Sequence, residues 1–397
     1  MKSIKRINIK AKTVLVRVDY NVPLDDKLNI VDDNRILATC DLINYLLDED
    51  SKVILISHMG RPKGIKDSSL SLVHVAKRLS ELLNKEVLFV NDCVGSKVNM
   101  KIKELRSGQI LLLENLRFHI EEQNNDDNFA RQLASYCDVF VNEAFSVSHR
   151  YQASITGVPK FVLESASGFL LEKELLAFNN AFKSSVRPLV AVIGGAKVSS
   201  KLGVLENMLR LVDKLIIGGA MANTFLKSQG IDTKDSMIEK DLVNKAAQII
   251  KKAEKNNTKL LLPSDLVCAK ELSSNVETKN VSITQIPEKY MAFDIGMKTA
   301  LRYADAIKDA KTIVWNGTMG VFEIKEFMAG TQKIAQAIAE SKAYSIVGGG
   351  DTGLAVKNCG IIDKVGYIST GGGAFLHLMG GNDLPGVLAL QKPDAIS

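Results

Sequence analysis

The chain has 397 residues, 46% of them hydrophobic and 24% charged, with a formal net charge of +6; it is too long for one compact core and suits two soluble domains. Its opening, Met1-Lys2-Ser3-Ile4-Lys5-Arg6, has no apolar run behind it, no stretch is apolar enough to span a bilayer, and the cations are dispersed, which argues against a secretory signal, a membrane span and a nucleic-acid surface. Five scattered cysteines (Cys40, Cys93, Cys137, Cys268, Cys359) show no paired spacing for metal or redox work and fit a reduced, cytoplasmic protein.

In chain order, short apolar runs predict strands over 13–18, 52–56, 86–90, 109–113 and 138–141, separated by helical periodicity over 35–47, 70–83 and 128–136. That alternation is a parallel α/β domain. In such sheets ligands sit at the carboxyl ends of strands, so the residues just after each strand carry the functional weight. Here those positions read Asp19-Tyr20-Asn21, Ser57-His58-Met59-Gly60-Arg61-Pro62, Glu114 to His119 with Arg117, and Asn142 to Arg150. A lone arginine is usually a surface ion partner; several at one sheet edge suit a small polyanion, because the guanidinium fork binds phosphate or carboxylate through paired hydrogen bonds.

A further helical pattern covers 168–182, and 183–188 looks like a change of domain. A second strand-helix series then runs from Leu189 to Gly371. Within it, four apolar runs end in glycine turns: Gly194-Gly195-Ala196-Lys197, Gly218-Gly219-Ala220, Gly348-Gly349-Gly350-Asp351-Thr352 and Gly371-Gly372-Gly373-Ala374. Glycine before a helix lets main-chain N–H groups approach phosphate, although tight strand-to-helix turns also use glycine for steric reasons alone. Gly348, Gly350 and Gly353 match the dinucleotide fingerprint, yet no Asp or Glu lies between Asp363 and Asp383 to hold a ribose, and no Walker-type loop is present. A nicotinamide dehydrogenase and a non-catalytic anion-binding protein stay in view as rival classes.

Arg17-Val18-Asp19-Tyr20-Asn21-Val22-Pro23, Ser57 to Pro62, Leu112 to His119, Gly194 to Lys201, Trp315-Asn316-Gly317, Gly348 to Thr352 and Ser369 to Ala374 together resemble, in order and spacing, the phosphoglycerate kinases. The resemblance covers essentially the whole chain. It implies two doubly wound, Rossmann-like parallel-sheet lobes joined by a helix with a cleft between them: residues 1–170 with a tail 380–397 packing back, a hinge 171–184, and 185–379. It implies phosphoryl transfer between 1,3-bisphosphoglycerate and ADP, giving 3-phosphoglycerate and ATP, in a monomer that uses magnesium. By the same resemblance, phosphoglycerate would be held by Asp19, Tyr20, Asn21, Arg35, His58, Met59, Gly60, Arg61, Arg117 and Arg150. The nucleotide would be held by Lys201, Glu323, Gly349, Gly350, Asp351 and Thr352. Asp351 would stand nearest the magnesium, though it could also cap a helix. Arg35, Lys197 and the N–H groups of Gly371, Gly372 and Gly373 would be the catalytic donors. His119 and His149 are left as structural. The sequence departs from the family pattern at Tyr151-Gln152, Ala292, Thr318, Met319, Phe375 and His377.

Overall fold

The structure, a computed structural model, describes residues 1–391. It divides into two compact units, one of Met1–Leu175 together with the described residues from Asp383 on, the other Leu176–Asn382. The division falls inside the helix Phe169–Phe182. Of the expected tail 380–397, Gly380 to Asn382 fall with the second unit, and residues 392–397 lie outside the described residues.

The first unit carries six strands: β1 (Thr13–Arg17), β2 (Lys52–Ile56), β3 (Val87–Val90), β4 (Ile110–Leu113), β5 (Val139–Asn142) and β6 (Glu164–Ser167). They are parallel throughout, in the order β3-β4-β2-β1-β5-β6. Continuous apolar runs such as Lys52–Ile56 are what a strand covered by helices on both faces requires. Register sets Arg17 beside both Ile56 and Asn142, so the residues that leave β1, β2 and β5 emerge at one level. The helices end for readable reasons. Asp126 caps Asp127–Ala134 by accepting from Phe129 N at 2.8 Å, and Asn84 closes Val73–Leu83 in the left-handed conformation at φ 48°.

The second unit holds β7 (Leu189–Ile193), β8 (Lys214–Ile217), β9 (Lys259–Leu261), β10 (Asp265–Ala269), β11 (Lys279–Ser282), β12 (Met291–Ile295), β13 (Thr312–Asn316), β14 (Tyr344–Gly348) and β15 (Tyr367–Ile368). Six of them form a parallel sheet in the order β15-β14-β13-β7-β8-β9, a doubly wound pattern whose direction reverses between β7 and β13. Ile193, Asn316 and Gly348 are in register at the carboxyl end. A separate antiparallel sheet, β11-β10-β12, was not expected from the sequence. Trp315 and Tyr303 anchor the main core of this unit, both fully buried. No helix among the described residues is long and apolar enough to cross a membrane.

Candidate active site

In the first unit, the residues that leave the strand ends converge on Asp19. Its Oδ2 accepts from Arg35 Nη1 at 2.6 Å and from the Ser146 hydroxyl, and its Oδ1 accepts from Asn21 N at 3.1 Å. Burial works against ionisation of this carboxyl; the neighbouring His58 and Arg35 and the bonds from Ser146 and Asn21 outweigh it and hold the group down at about 2. His58 is itself buried. Arg17 Nη2 lies 3.1 Å from His58 Nδ1, and since a guanidinium can only donate, Nδ1 is the acceptor and the ring proton sits on Nε2, which faces Asp19 Oδ1 at 3.8 Å. Burial, with Arg17, Arg117 and Arg150 nearby, pushes this imidazole well below its ordinary range despite Asp19, so it is neutral at pH 7. The ionisation of Asp19 therefore leans chiefly on Arg35 and its hydrogen bonds.

Asn21 Oδ1 accepts from Gly60 N at 2.9 Å, and Arg117 Nη1 donates to Gly60 O at 2.5 Å, which ties the turn after β2 to the residues leaving β1 and β4. Burial and the charges of Arg17 and Arg150 lower the Arg117 guanidinium to about 10. It stays charged at neutral pH. Arg150 is half-buried and belongs electrostatically to this cluster, whereas Arg61 is exposed. Two expected contacts look elsewhere. Tyr20 is fully buried with its hydroxyl on Thr39 Oγ1 at 2.8 Å, and Met59 is in the core with both main-chain N–H and carbonyl bonded to Asn115. Their side chains serve the core.

Sequence reasoning passed over Arg17, which is fully buried, touches His58, and donates through Nε to Ser154 Oγ at 2.8 Å. Ser154 in turn donates to the buried Glu122 from both its hydroxyl (2.6 Å) and its N–H (2.8 Å). A cation inside the last residue of a strand reads as an ordinary strand end; only its place in the Arg17 to Pro23 motif could have singled it out. His119, left as structural, pairs with Asp92 at 2.8 Å.

In the second unit the glycine turns differ in use. Gly218-Gly219 is spent on packing: a Cβ on Gly219 would stand 2.4 Å from Gly195 O, and one on Gly218 the same distance from Met319 Sδ. This turn is steric. By contrast the Gly349 turn is open. Gly349 adopts φ 101°, a Cβ on Gly350 would meet nothing within 4 Å, and Asp351 is exposed in the first turn of the helix Gly350–Asn358. Thr352 Oγ1 accepts from Gly317 N at 2.7 Å and Asn316 Nδ2 donates to Gly348 O at 2.7 Å, joining the turns after β13 and β14. Asn316 Oδ1 is buried with no hydrogen-bond partner among the described residues, an acceptor left over at the edge of this turn. Gly372 packs against it too, its Cβ position lying 3.3 Å from Gly349 Cα, where the helix Gly372–Met379 begins.

Lys201 reaches under the turns, donating from Nζ to Gly194 O at 2.6 Å and Asn316 O at 3.1 Å. Burial lowers its ammonium to about 8, with Asp351 opposing the shift. Lys197 and Glu323 are exposed on their loops. A cavity of about 680 Å³ lies away from all of this, at the amino edge of the sheet, lined by Lys214, Lys259 and Arg302 among others. Lys214 is already paired with Asp309 and Ala306 O, and this hollow holds none of the residues expected at the glycine turns.

The family model for phosphoglycerate kinase matches residues 4–382. The chain belongs to the phosphoglycerate kinase family. It is 58% identical over 391 residues to phosphoglycerate kinase of Desulforapulum autotrophicum, covering 98% of this chain and 100% of that one, and 50% identical to that of Aquifex aeolicus, covering 99% of each. Among solved structures, phosphoglycerate kinase from Coxiella burnetii matches with a TM-score of 0.89 at 41% identity, and that from Pyrococcus horikoshii with 0.85 at 34%, each covering 98% of both chains. Membership makes the protein a phosphotransferase, and the two six-stranded parallel sheets agree with it. Several departures from the family pattern have a packing account. Met319 is fully buried beneath Gly194 and Gly218, and Phe375 fills the space left by Gly348, where a Cβ would stand 2.0 Å from the ring. Ala292 is buried with its N–H on Ser236 Oγ at 3.0 Å.

Proposed function

We propose that the chain transfers the γ-phosphoryl group of ATP to the carboxylate of 3-phosphoglycerate, and runs the reverse reaction from 1,3-bisphosphoglycerate and ADP. One observation carries this reading: a single chain holds an arginine cluster around Asp19 at the strand ends of one parallel sheet, and the open Gly349 to Thr352 turn with Lys201 at the strand ends of another. The first suits a phosphorylated carboxylate, the second a nucleotide. The acceptor carboxylate is ionised near neutral pH, so no general base is required; a carboxylate oxygen to phosphorus bond forms as the bond from γ-phosphorus to the bridging oxygen breaks, and ADP leaves. The chain's contribution is alignment and charge: Arg35, Lys197 and the N–H groups of Gly371 to Gly373 as donors to the phosphoryl group in flight, with Arg61, Arg117, Arg150, His58 and Asn21 holding the substrate and Glu323 the ribose.

Magnesium fits the donor set. No group of three or more His, Cys, Asp or Glu side chains forms a cage among the described residues, and a hard cation that keeps its waters needs only one exposed carboxylate beside the substrate phosphates. Asp351 would supply it, and the ion would neutralise phosphate charge. The deciding assay is ADP release from MgATP on adding 3-phosphoglycerate, with 2-phosphoglycerate as the control. Release with the 3-isomer alone, lost with EDTA, is the expected result; equal release with both isomers, or tight saturable binding of NADH without it, would overturn the reading.

A further inference from the structure

The loop that carries Lys197 between β7 and the helix Leu202–Leu211 is held from a distance. Ser199 donates to one carboxylate from two atoms: its N–H to Glu239 Oε2 at 3.1 Å and its hydroxyl to Glu239 Oε1 at 2.5 Å. Glu239 lies forty residues further along the chain, after the helix Met221–Ser228. The Val198 N–H and the Lys197 charge also favour the ionised carboxylate. Within the loop, Ser200 Oγ donates to Lys197 O at 2.8 Å and Lys201 N to Val198 O at 2.9 Å. The loop is thus one tight turn whose open N–H end is closed by a side chain from elsewhere. That end needs an acceptor, because the first N–H groups of a helical turn have no partner inside it. Glu239 is itself anchored: its N–H donates to Thr224 Oγ1 at 3.1 Å, and Thr224 is buried in the helix that starts at the Gly218-Gly219 turn.

We propose that Glu239 is a positioning residue for the phosphoryl transfer, clamping the 197–201 turn through Ser199 so that Lys197 is held at a fixed height above the sheet edge while its ammonium stays free for substrate. The proposal rests on the phosphoryl-transfer reading above. A donor on a loop loses catalytic value with small displacements, since a shift of about 1 Å costs roughly a hundredfold in rate. Removing the clamp leaves the charge of Lys197 in place and loosens where it points.

The test uses the full chain with Glu239→Ala, Glu239→Gln and Ser199→Ala, each first checked for a cooperative thermal transition. Glu239→Ala is expected to lower kcat by about ten- to a hundredfold with both Michaelis constants within about twofold. Glu239→Gln, which keeps one acceptor oxygen, and Ser199→Ala, which removes one donor, should fall between it and the wild type; they carry the test if the alanine variant does not fold. Because Glu239 acts through Lys197, adding Glu239→Ala to Lys197→Ala should slow the enzyme no further, and multiplied losses would overturn the proposal. Amide hydrogen exchange of the ligand-free protein reads the clamp without turnover: exchange across 197–201 should rise at least several-fold in Glu239→Ala, and unchanged exchange would also overturn it. Wild-type protein inactive toward 3-phosphoglycerate sinks the parent reading; an active wild type with an unimpaired Glu239→Ala sinks this one alone.

Discussion

Arg35 and Lys197 carry the same charge in unlike surroundings. The guanidinium of Arg35 is held by Asp19 at 2.6 Å, whereas Lys197 is exposed on a loop whose backbone is fixed by Glu239 and Ser200. Both are proposed as donors to charge that develops only as the phosphoryl group moves, so each should matter more to turnover than to binding. Arg35→Ala and Lys197→Ala are each expected to cost about 3 kcal/mol of transition-state stabilisation, roughly a hundredfold in kcat, with little change in KM. Steady-state kinetics for both substrates decides it: a variant that changes only the Michaelis constant loses its assigned role. Arg61→Ala and Arg150→Ala should instead weaken phosphoglycerate binding and spare MgADP affinity. Much of this basin was legible because an open parallel sheet puts its ligand residues just after each strand. Tyr20 and Met59 turn their side chains into the core, which a motif read as a string of neighbours does not reveal. The clamp from Glu239 was invisible, since no local pattern links it to Ser199.

At the scale of elements, Glu143 ties the end of β5 to the helix Phe169–Phe182. Its carboxylate accepts from Leu170 N at 2.9 and 3.0 Å and from Leu171 N at 3.4 Å, and Gly168 has no room for a Cβ, which would stand 2.2 Å from Glu143 Oε2. Burial pushes this carboxyl up from 4.5 to about 8, with the two N–H donors opposing and Glu172 assisting. The folded protein therefore holds a proton there that the unfolded chain has released between those two values. Stability from this group is present below pH 4.5 and is lost as pH rises through 8. Glu143→Gln, which keeps a neutral acceptor, should match the wild type at pH 5 and exceed it by about 1–3 kcal/mol at pH 8.5. Urea denaturation at three pH values measures it, and a difference that did not grow with pH would count against the assignment. The apolar strands were legible almost to the residue, as at Lys52–Ile56, because burial on both faces writes a continuous hydrophobic run. Strands Glu164–Ser167 and Lys279–Ser282 were not, since ESAS and KNVS carry no such signal and are strands only through the ladders they complete.

At the scale of the molecule, every residue proposed to bind phosphoglycerate precedes Tyr151 and belongs to the first compact unit, and every residue proposed to bind nucleotide follows Arg187 and belongs to the second. In-line transfer needs the reacting oxygen within about 3–3.5 Å of phosphorus, and water at that centre would divert the phosphoryl group to hydrolysis. On that proposed assignment each ligand alone engages one unit and has no differential contact with the other, so neither alone would supply the free energy for bringing the two substrates to one centre. Both together would. The expected outcome is a radius of gyration, from small-angle scattering, that is smaller in the ternary complex with 3-phosphoglycerate and a non-hydrolysable ATP analogue than in the free protein, with either binary complex changing less. The helix Phe169–Phe182, within which the units divide, is the segment whose flanks should absorb the rotation. A glycine pair inserted in its exposed face near Leu176 should then lower kcat while leaving each binary affinity intact. A ternary radius equal to that of the free protein, with both ligands shown to be bound, would remove the need for closure and with it this role for the helix.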